Sequence, residues 1–259
     1  MRVISLVVAA TIMVAPVSPA LAKDEALAKA IAASHRTPAF VERDKARKPQ
    51  EELEFFGIAP TLTVVEITPG GGYWTEIVAP YLKGRGTYYA AVPGGGIDAF
   101  RKRLAANPAL YDEVEVTQLA PGAAIAPAGS ADLVLTFRNV HNWMAGGVAD
   151  QMFAAFFAAL KPGGVLGIEE HRASTAQPQD PKAANGYVRE DYTIQLAEKA
   201  GFKYVGKSEM LANPKDTKDW PKGVWTLPPT LSLGEQDREK YLAVGEADNF
   251  VLKFEKPKK

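Results

Sequence analysis

The chain has 259 residues, 47% of them hydrophobic, with 22 Gly, 19 Pro and no Cys. This apolar fraction excludes a mostly disordered or collagen-like chain, and 30 basic against 30 acidic side chains give no electrostatic reason to expect nucleic acid as a partner. Without cysteine there can be no disulfides, thiolate metal sites, iron–sulfur clusters or cysteine nucleophiles, which leaves one domain large enough for a substantial core.

Met1 and Arg2 make a short positive start, residues 3–14 are almost wholly apolar, and Pro16 and Pro19 precede Ala20-Leu21-Ala22. That order of regions predicts a secretory signal peptide over residues 1–22, cleaved after Ala22. Its apolar run is shorter than the roughly 18–20 residues needed to span a bilayer. The expected mature chain, residues 23–259, is then a single periplasmic or secreted domain with no membrane contact after cleavage.

Residues 23–34 are Ala-rich with Leu27 and Ile31 four apart, which predicts a helix. The charged stretch 42–52 predicts a second, ending on Leu53, Phe55 and Phe56. Residues 62–67 form a short β-branched run that reads as a buried strand. Pro69-Gly70-Gly71-Gly72 makes a turn into a helix over 73–82. A strand over 86–92 and a helix over 97–107 follow.

The alternation continues with strands over 113–118 and 131–137. A helix over 148–160 carries Met152, Phe153, Phe156, Phe157 and Leu160 as an apolar stripe. Residues 161–164 turn into a strand over 165–170, followed by a helix over 190–200 and a strand over 202–209. Residues 211–246 form an irregular insertion rich in Pro and Trp, where a substrate lid is expected. A last strand covers 250–254. Strands alternating with helices of this length predict an α/β fold: one doubly wound, Rossmann-like sheet of about seven strands with helices on both faces. In such sheets ligands bind outside the carboxyl ends of the strands.

Four segments carry a family resemblance: Val64-Val65-Glu66-Ile67-Thr68-Pro69-Gly70-Gly71-Gly72, Asp132-Leu133-Val134-Leu135-Thr136-Phe137-Arg138-Asn139, Leu160-Lys161-Pro162-Gly163-Gly164-Val165-Leu166 and Ala197-Glu198-Lys199-Ala200-Gly201-Phe202. Together they make the chain, from about residue 43 to 257, resemble the class I S-adenosylmethionine-dependent methyltransferases. It looks most like a bacterial exported group of predicted methyltransferases. The resemblance implies seven strands with the last antiparallel, and S-adenosylmethionine as cofactor. It implies Glu66, Thr68, Gly70, Gly72 and Asn139 as the residues that bind that cofactor. Two positions depart from the pattern. Thr68 stands in place of the loop's first glycine, and Val92 in place of the acidic residue that binds the ribose hydroxyls, with Asp98 as a possible substitute. Losing that carboxylate removes charge-assisted hydrogen bonds of about 1.5–3 kcal/mol each.

The polar strand ends suggest chemistry independently of the resemblance. His141 follows the fourth strand and His171 the fifth, so Glu66, Arg138, Asn139, His141, Glu169, Glu170, His171 and Arg172 should rim one crevice. Strand alternation puts Glu169 and His171 on one face, Glu170 and Arg172 on the other. His141, His171, Glu169 and Arg138 are the candidate catalytic residues, because imidazole titrates near neutrality and suits acid–base work. No metal is expected: two His and a Glu could ligate one, but no metal-binding spacing is present. His35 reads as a surface residue. No Gly-x-Ser-x-Gly elbow or Walker lysine loop occurs.

Three functions are consistent with this pattern, all with a small-molecule partner. The first is methyl transfer to a small molecule, an aromatic one as the surrounding Trp and Tyr side chains suggest, that His141 or Glu169 orients or deprotonates. The second is a cofactor-independent lyase of elimination or retro-aldol type, with Glu169, His171 and His141 as acid and base and Arg138 or Arg172 stabilising an anion. The third is a non-catalytic binder. The sequence leaves the substrate and the oligomeric state open.

Overall fold

The β-branched runs pair as a single seven-stranded sheet. In chain order the strands are β1 (Thr63–Ile67), β2 (Thr87–Pro93), β3 (Val114–Leu119), β4 (Ala131–Phe137), β5 (Leu160–His171), β6 (Lys203–Ser208) and β7 (Asn249–Glu255). Their order across the sheet is β3-β2-β1-β4-β5-β7-β6. Strands β1 to β5 are parallel, whereas β7 runs antiparallel to both β5 and β6. The computed structural model describes residues 24–258, so the expected signal peptide lies outside the described residues.

Helices cover both faces, which is why the central strands are apolar without alternation. Met152, Phe153 and Phe156 of the helix Ala149–Ala159 pack one face together with Leu196 and Ala197 of the helix Glu190–Lys199. The helices Glu25–Ile31, Pro49–Phe56, Thr75–Leu82 and Ile97–Ala105 pack the other. Phe56 lies so close to β5 that a Cβ on Gly167 would stand 2.6 Å from its ring. A small third cluster, around Tyr187, Val224, Leu227 and Tyr241, anchors the insertion. Among the described residues no helix is long and apolar enough to cross a membrane.

The architecture expected from the sequence is therefore present, and the differences are local. The charged stretch is not one helix but the short helices Pro38–Val41 and Asp44–Arg47 followed by Pro49–Phe56. The break falls at Lys48, which adopts a left-handed φ of 42° ahead of Pro49, as proline disfavours the helical conformation in the residue before it. Residues 161–164, expected as a turn, belong to β5, and the register shifts between Ala131 and Leu133 opposite them. The insertion contains a 3-10 turn, Gly223–Thr226, and the helix Arg238–Val244. A further helix, Val140–Ala145, directly follows β4 and had no sequence signal. Parallel pairing places the ends of β1, β4 and β5 side by side. The antiparallel β7 brings its first residue, Asn249, opposite His171.

Candidate active site

The polypeptide leaves β4 through Arg138, whose left-handed φ of 60° turns the chain while its N–H donates to the Glu169 carbonyl at 2.7 Å. The helix Val140–Ala145 starts there and places His141 in its first turn, buried above the end of β5. The Glu170 carboxylate meets that helix start. It accepts the His141 backbone N–H at 3.1 Å, the His171 backbone N–H at 2.7 Å and the His141 Nδ1–H at 3.0 Å. A carboxylate facing Nδ1 assigns the proton to that nitrogen and leaves Nε2 for another partner. Burial disfavours the His141 imidazolium, but the Glu170 charge outweighs it and raises the pKa above 6.5. Burial likewise works against the Glu170 carboxylate, and the His141 charge outweighs it and lowers that pKa.

His171 differs from its neighbour. Asn249 donates from Nδ2 to Glu169 at 2.9 Å, which turns its Oδ1 toward the His171 Nδ1–H at 2.7 Å. Burial is the largest influence on this imidazole and pushes its pKa down to about 4, so it is neutral. The two rings lie 5.6 Å apart. Both line a pocket of about 330 Å³ together with Arg43, Arg138, Trp225 and Pro229. Trp225 stands over it from the insertion, 37% exposed, with its ring 6.0 Å from that of His141.

Beside the pocket lies a buried charge network. Arg43 donates from Nε and Nη2 to the two oxygens of Glu246 at 2.7 and 2.8 Å, and Arg138 Nη1 reaches the same carboxylate at 3.0 Å. Glu169 accepts Arg47 Nη2 at 2.9 Å and lies 3.7 Å from Arg138 Nε. Arg47 also stacks over Tyr73 and Trp74, 4.2 and 4.9 Å from the ring centres, a favourable place for a cation. Glu52 is fully buried alongside with no hydrogen bond to either oxygen. Burial, and then the Glu169 charge, hold its pKa well above the carboxylate range.

A second cavity, of about 310 Å³, opens at the ends of β1 and β2. It is lined by Thr68, Pro69, Gly70, Val92, Phe100, Arg103 and their neighbours, and shares no lining residue with the first. Glu66 does not face it. Its carboxyl accepts Thr75 Oγ1 at 2.9 Å and the Tyr88 hydroxyl, and burial raises its pKa to about 7. The N-terminal segment lies over the glycine loop. Thr37 donates to the Glu76 carboxylate from both its N–H and its hydroxyl, and a Cβ on Gly71 would stand 3.3 Å from the Phe40 ring.

The structure thus brings His141, His171 and Arg138 into one pocket, and Thr68 and Gly70 into another. Four of the expected catalytic or cofactor-binding residues need correction. Glu169 is fully buried and held by Arg47 and Asn249, so it positions the pocket wall and does not reach the pocket. Glu66 turns inward to Tyr88. Asn139 lines neither cavity, because its Nδ2 ties the end of β4 to the Ile67 carbonyl of β1 at 3.2 Å. Gly72 lines neither cavity and has the Arg103 side chain beside it. Asp98 is exposed outside the second cavity and takes no place of the missing acid. His35 is half-buried, its Nε2 2.8 Å from the Glu76 carbonyl. Arg172 joins Glu190, Glu209 and Asp248 instead of Glu170. His141, Glu170 and His171 offer ligating atoms within 4.8 Å of one another, yet both carboxylate oxygens and both Nδ1 atoms already take part in hydrogen bonds.

Glu170, expected only at the crevice rim, completes the site as the partner of His141, together with four residues the sequence did not single out: Arg43, Arg47, Glu246 and Asn249. Only Asn249 had a usable signal, since an antiparallel last strand must begin where the fifth ends.

No family model and no curated protein matches the chain. Solved structures do. A SAM-dependent methyltransferase from Aquifex aeolicus is 14% identical over 89% of this chain and 98% of its own, with a TM-score of 0.58. The [4+2]-cyclase SpnF is 13% identical over 82% of this chain and 81% of its own, also with a TM-score of 0.58. Phosphoethanolamine N-methyltransferase 2 from Haemonchus contortus, solved with S-adenosyl-L-methionine, is 16% identical over 80% of this chain and 52% of its own, with a TM-score of 0.56. The chain has the class I methyltransferase fold.

Proposed function

We propose that the chain is an enzyme in which His141 is the acid–base group for a small molecule bound beneath Trp225, and that the reaction is methyl transfer from S-adenosylmethionine to that molecule. The observation that carries the acid–base assignment is the hydrogen bond from His141 Nδ1 to Glu170, which orients the ring and leaves Nε2 for the substrate. Glu170 fixes the tautomer and stabilises the imidazolium that forms when Nε2 takes a proton. Such a positioned base contributes typically 10²–10⁴-fold to rate. His171, neutral, offers its Nε2 as a further hydrogen-bonding group. Arg138 stands where negative charge on a deprotonated substrate would be stabilised.

When bound, S-adenosylmethionine supplies an electrophilic methyl group. Thr68, Gly70 and the cavity under Val92 are the residues that would hold its nucleoside, and a volume of about 310 Å³ lies within the range of ligand pockets. The fit extends to the nucleoside's apolar contacts and fails at its sugar, where Val92 offers no acceptor. That failure, the inward turn of Glu66 and the separation of the two cavities favour a second reading: proton abstraction by His141 that leads to elimination or retro-aldol cleavage without a cofactor. Export, expected from residues 1–22, favours it too, because S-adenosylmethionine is a cytoplasmic metabolite.

Calorimetric titration of residues 23–259 with S-adenosylmethionine and S-adenosylhomocysteine separates the two. Micromolar binding of either supports methyl transfer, and no binding at millimolar ligand removes it. His141→Gln abolishes turnover under both readings. Activity that survives this change on an identified substrate removes the acid–base assignment.

A further inference from the structure

We propose that the pocket beneath Trp225 binds the carboxylate of a small aromatic acid, with Arg138 and Arg43 as its anion-binding pair. The proposal rests on the preceding reading only in placing the substrate in this pocket.

The first argument is geometric. Arg43 and Arg138 both line the cavity, and both are held by the one Glu246 carboxylate. Arg43 uses Nε and Nη2 there, and Arg138 uses Nη1. Among the described residues Arg43 Nη1 and Arg138 Nη2 have no hydrogen-bond partner. Two guanidiniums held on one carboxylate, each with one terminal nitrogen unused, offer one donor apiece to the two oxygens of a second carboxylate. Neither arginine needs to be ordered on binding, because Glu246 already holds both.

The second argument is charge. Arg43, Arg47 and Arg138 contribute three positive charges, and Glu169 and Glu246 two negative ones. Glu52 does not supply a third, since its fully buried carboxyl has no hydrogen-bond partner and burial keeps it protonated. With His141 protonated, its form as the acid, it balances Glu170, and His171 is neutral. In that form one positive charge is uncompensated beside a polar cavity, a costly arrangement that a bound anion relieves. The aromatic body follows from Trp225, Pro228 and Pro229, which line the same cavity of about 330 Å³ and give a ring something to pack on.

The test is calorimetric titration of the full chain with benzoate and with benzamide, an uncharged compound of the same shape. Benzoate is expected to bind at least about tenfold more tightly, the difference a charge-assisted contact makes. Equal affinities, or saturable binding of neither, overturn the proposal. Arg138→Gln is expected to weaken benzoate about tenfold with little effect on benzamide, and unchanged affinity places the anion elsewhere and overturns it. Arg43→Gln, at a half-buried site, gives the same readout if the Arg138 variant does not fold. Glu52→Gln is expected to leave benzoate affinity unchanged, because the carboxyl is already neutral, and a marked tightening overturns the charge count. Benzoate affinity is read on the unsubstituted chain without turnover, so failure of the acid–base reading and failure of this one give different results.

Discussion

Glu66 at the end of β1 and Glu170 at the end of β5 are both fully buried carboxyl groups, two strands apart across β4, and they behave in opposite ways. Burial acts on both in the same direction, raising the pKa. Glu66 meets only the hydroxyls of Thr75 and Tyr88, which offset part of that effect, and its pKa rises to about 7. Glu170 meets an imidazole and two backbone N–H groups, one of them at a helix start, and its pKa falls. The same side chain at the same kind of strand end thus holds its proton up to about pH 7 in one region and stays charged to below the usual carboxylate range in the other. What separates the regions is the partner supplied by the neighbouring element. At β5 it comes from the helix after β4; at β1 it comes from hydroxyls that hold no charge.

Replacing each carboxyl by its amide sharpens the contrast. Glu170→Gln should cost about 3 kcal/mol of stability, since it leaves the His141 imidazolium without a counter-charge and turns an NH₂ toward a backbone N–H. The effect depends on pH from both sides. Glu170 has a folded pKa below 4.5, so its contribution is present above that value and lost as pH falls through the folded pKa. His141 has a folded pKa above 6.5, so its contribution is present below that value and lost as pH rises through the folded pKa. The destabilisation should therefore be greatest between about pH 4.5 and 6.5 and shrink outside that window. Denaturant melts across pH measure it, and a flat cost would show that the pair is not ionised.

Glu66→Gln should act with the opposite sign. A carboxyl whose folded pKa is raised from 4.5 to about 7 loses stability as pH rises between those values, because only the unfolded chain ionises freely. The amide keeps the acceptor for Thr75 and Tyr88 and has no proton to lose. It should therefore stabilise the protein by about 2–3 kcal/mol at about pH 8 and change little below about pH 4. Destabilisation at high pH would mean that the Glu66 charge is needed where it lies, and the contrast with Glu170 would break.

How much of this could be read in the sequence follows from the range of the interactions. The alternation of strands and helices is local, so the sheet and the meeting of His141, His171 and Arg138 were legible, whereas the antiparallel last strand came with the family resemblance. Alternation along β5 also placed Glu169 with His171, and Asn249 does link them. The partner of His141 was not legible because the short helix Val140–Ala145 has no sequence signal, and its first turn decides that Glu170 is within reach. The arginines were invisible for another reason. Arg47 meets Glu169 across 122 residues and Arg43 meets Glu246 across 203, and no periodicity reports such pairs.

The smallest effect tests the backbone on which both regions are built. Thr68 follows β1 and Arg138 follows β4, and each adopts a left-handed φ, 54° and 60°. Each N–H bonds the next strand, Thr68 to the Ala91 carbonyl at 2.9 Å and Arg138 to the Glu169 carbonyl at 2.7 Å. The turn is the same; the side chain is not used alike. A β-branched residue in this conformation is strained by about 1–2 kcal/mol, whereas glycine enters it freely at an entropic cost of about 0.5–1 kcal/mol. Thr68 has no side-chain hydrogen bond to lose, so Thr68→Gly should stabilise the chain by a little under about 1 kcal/mol in a thermal melt. Arg138→Gly relieves the same strain but removes the ion pair with Glu246 and leaves Glu169 with one cation fewer, so it should destabilise despite the easier backbone. If both substitutions stabilise, Arg138 is held at its position by the turn alone and the charge network beside the pocket contributes nothing to the fold.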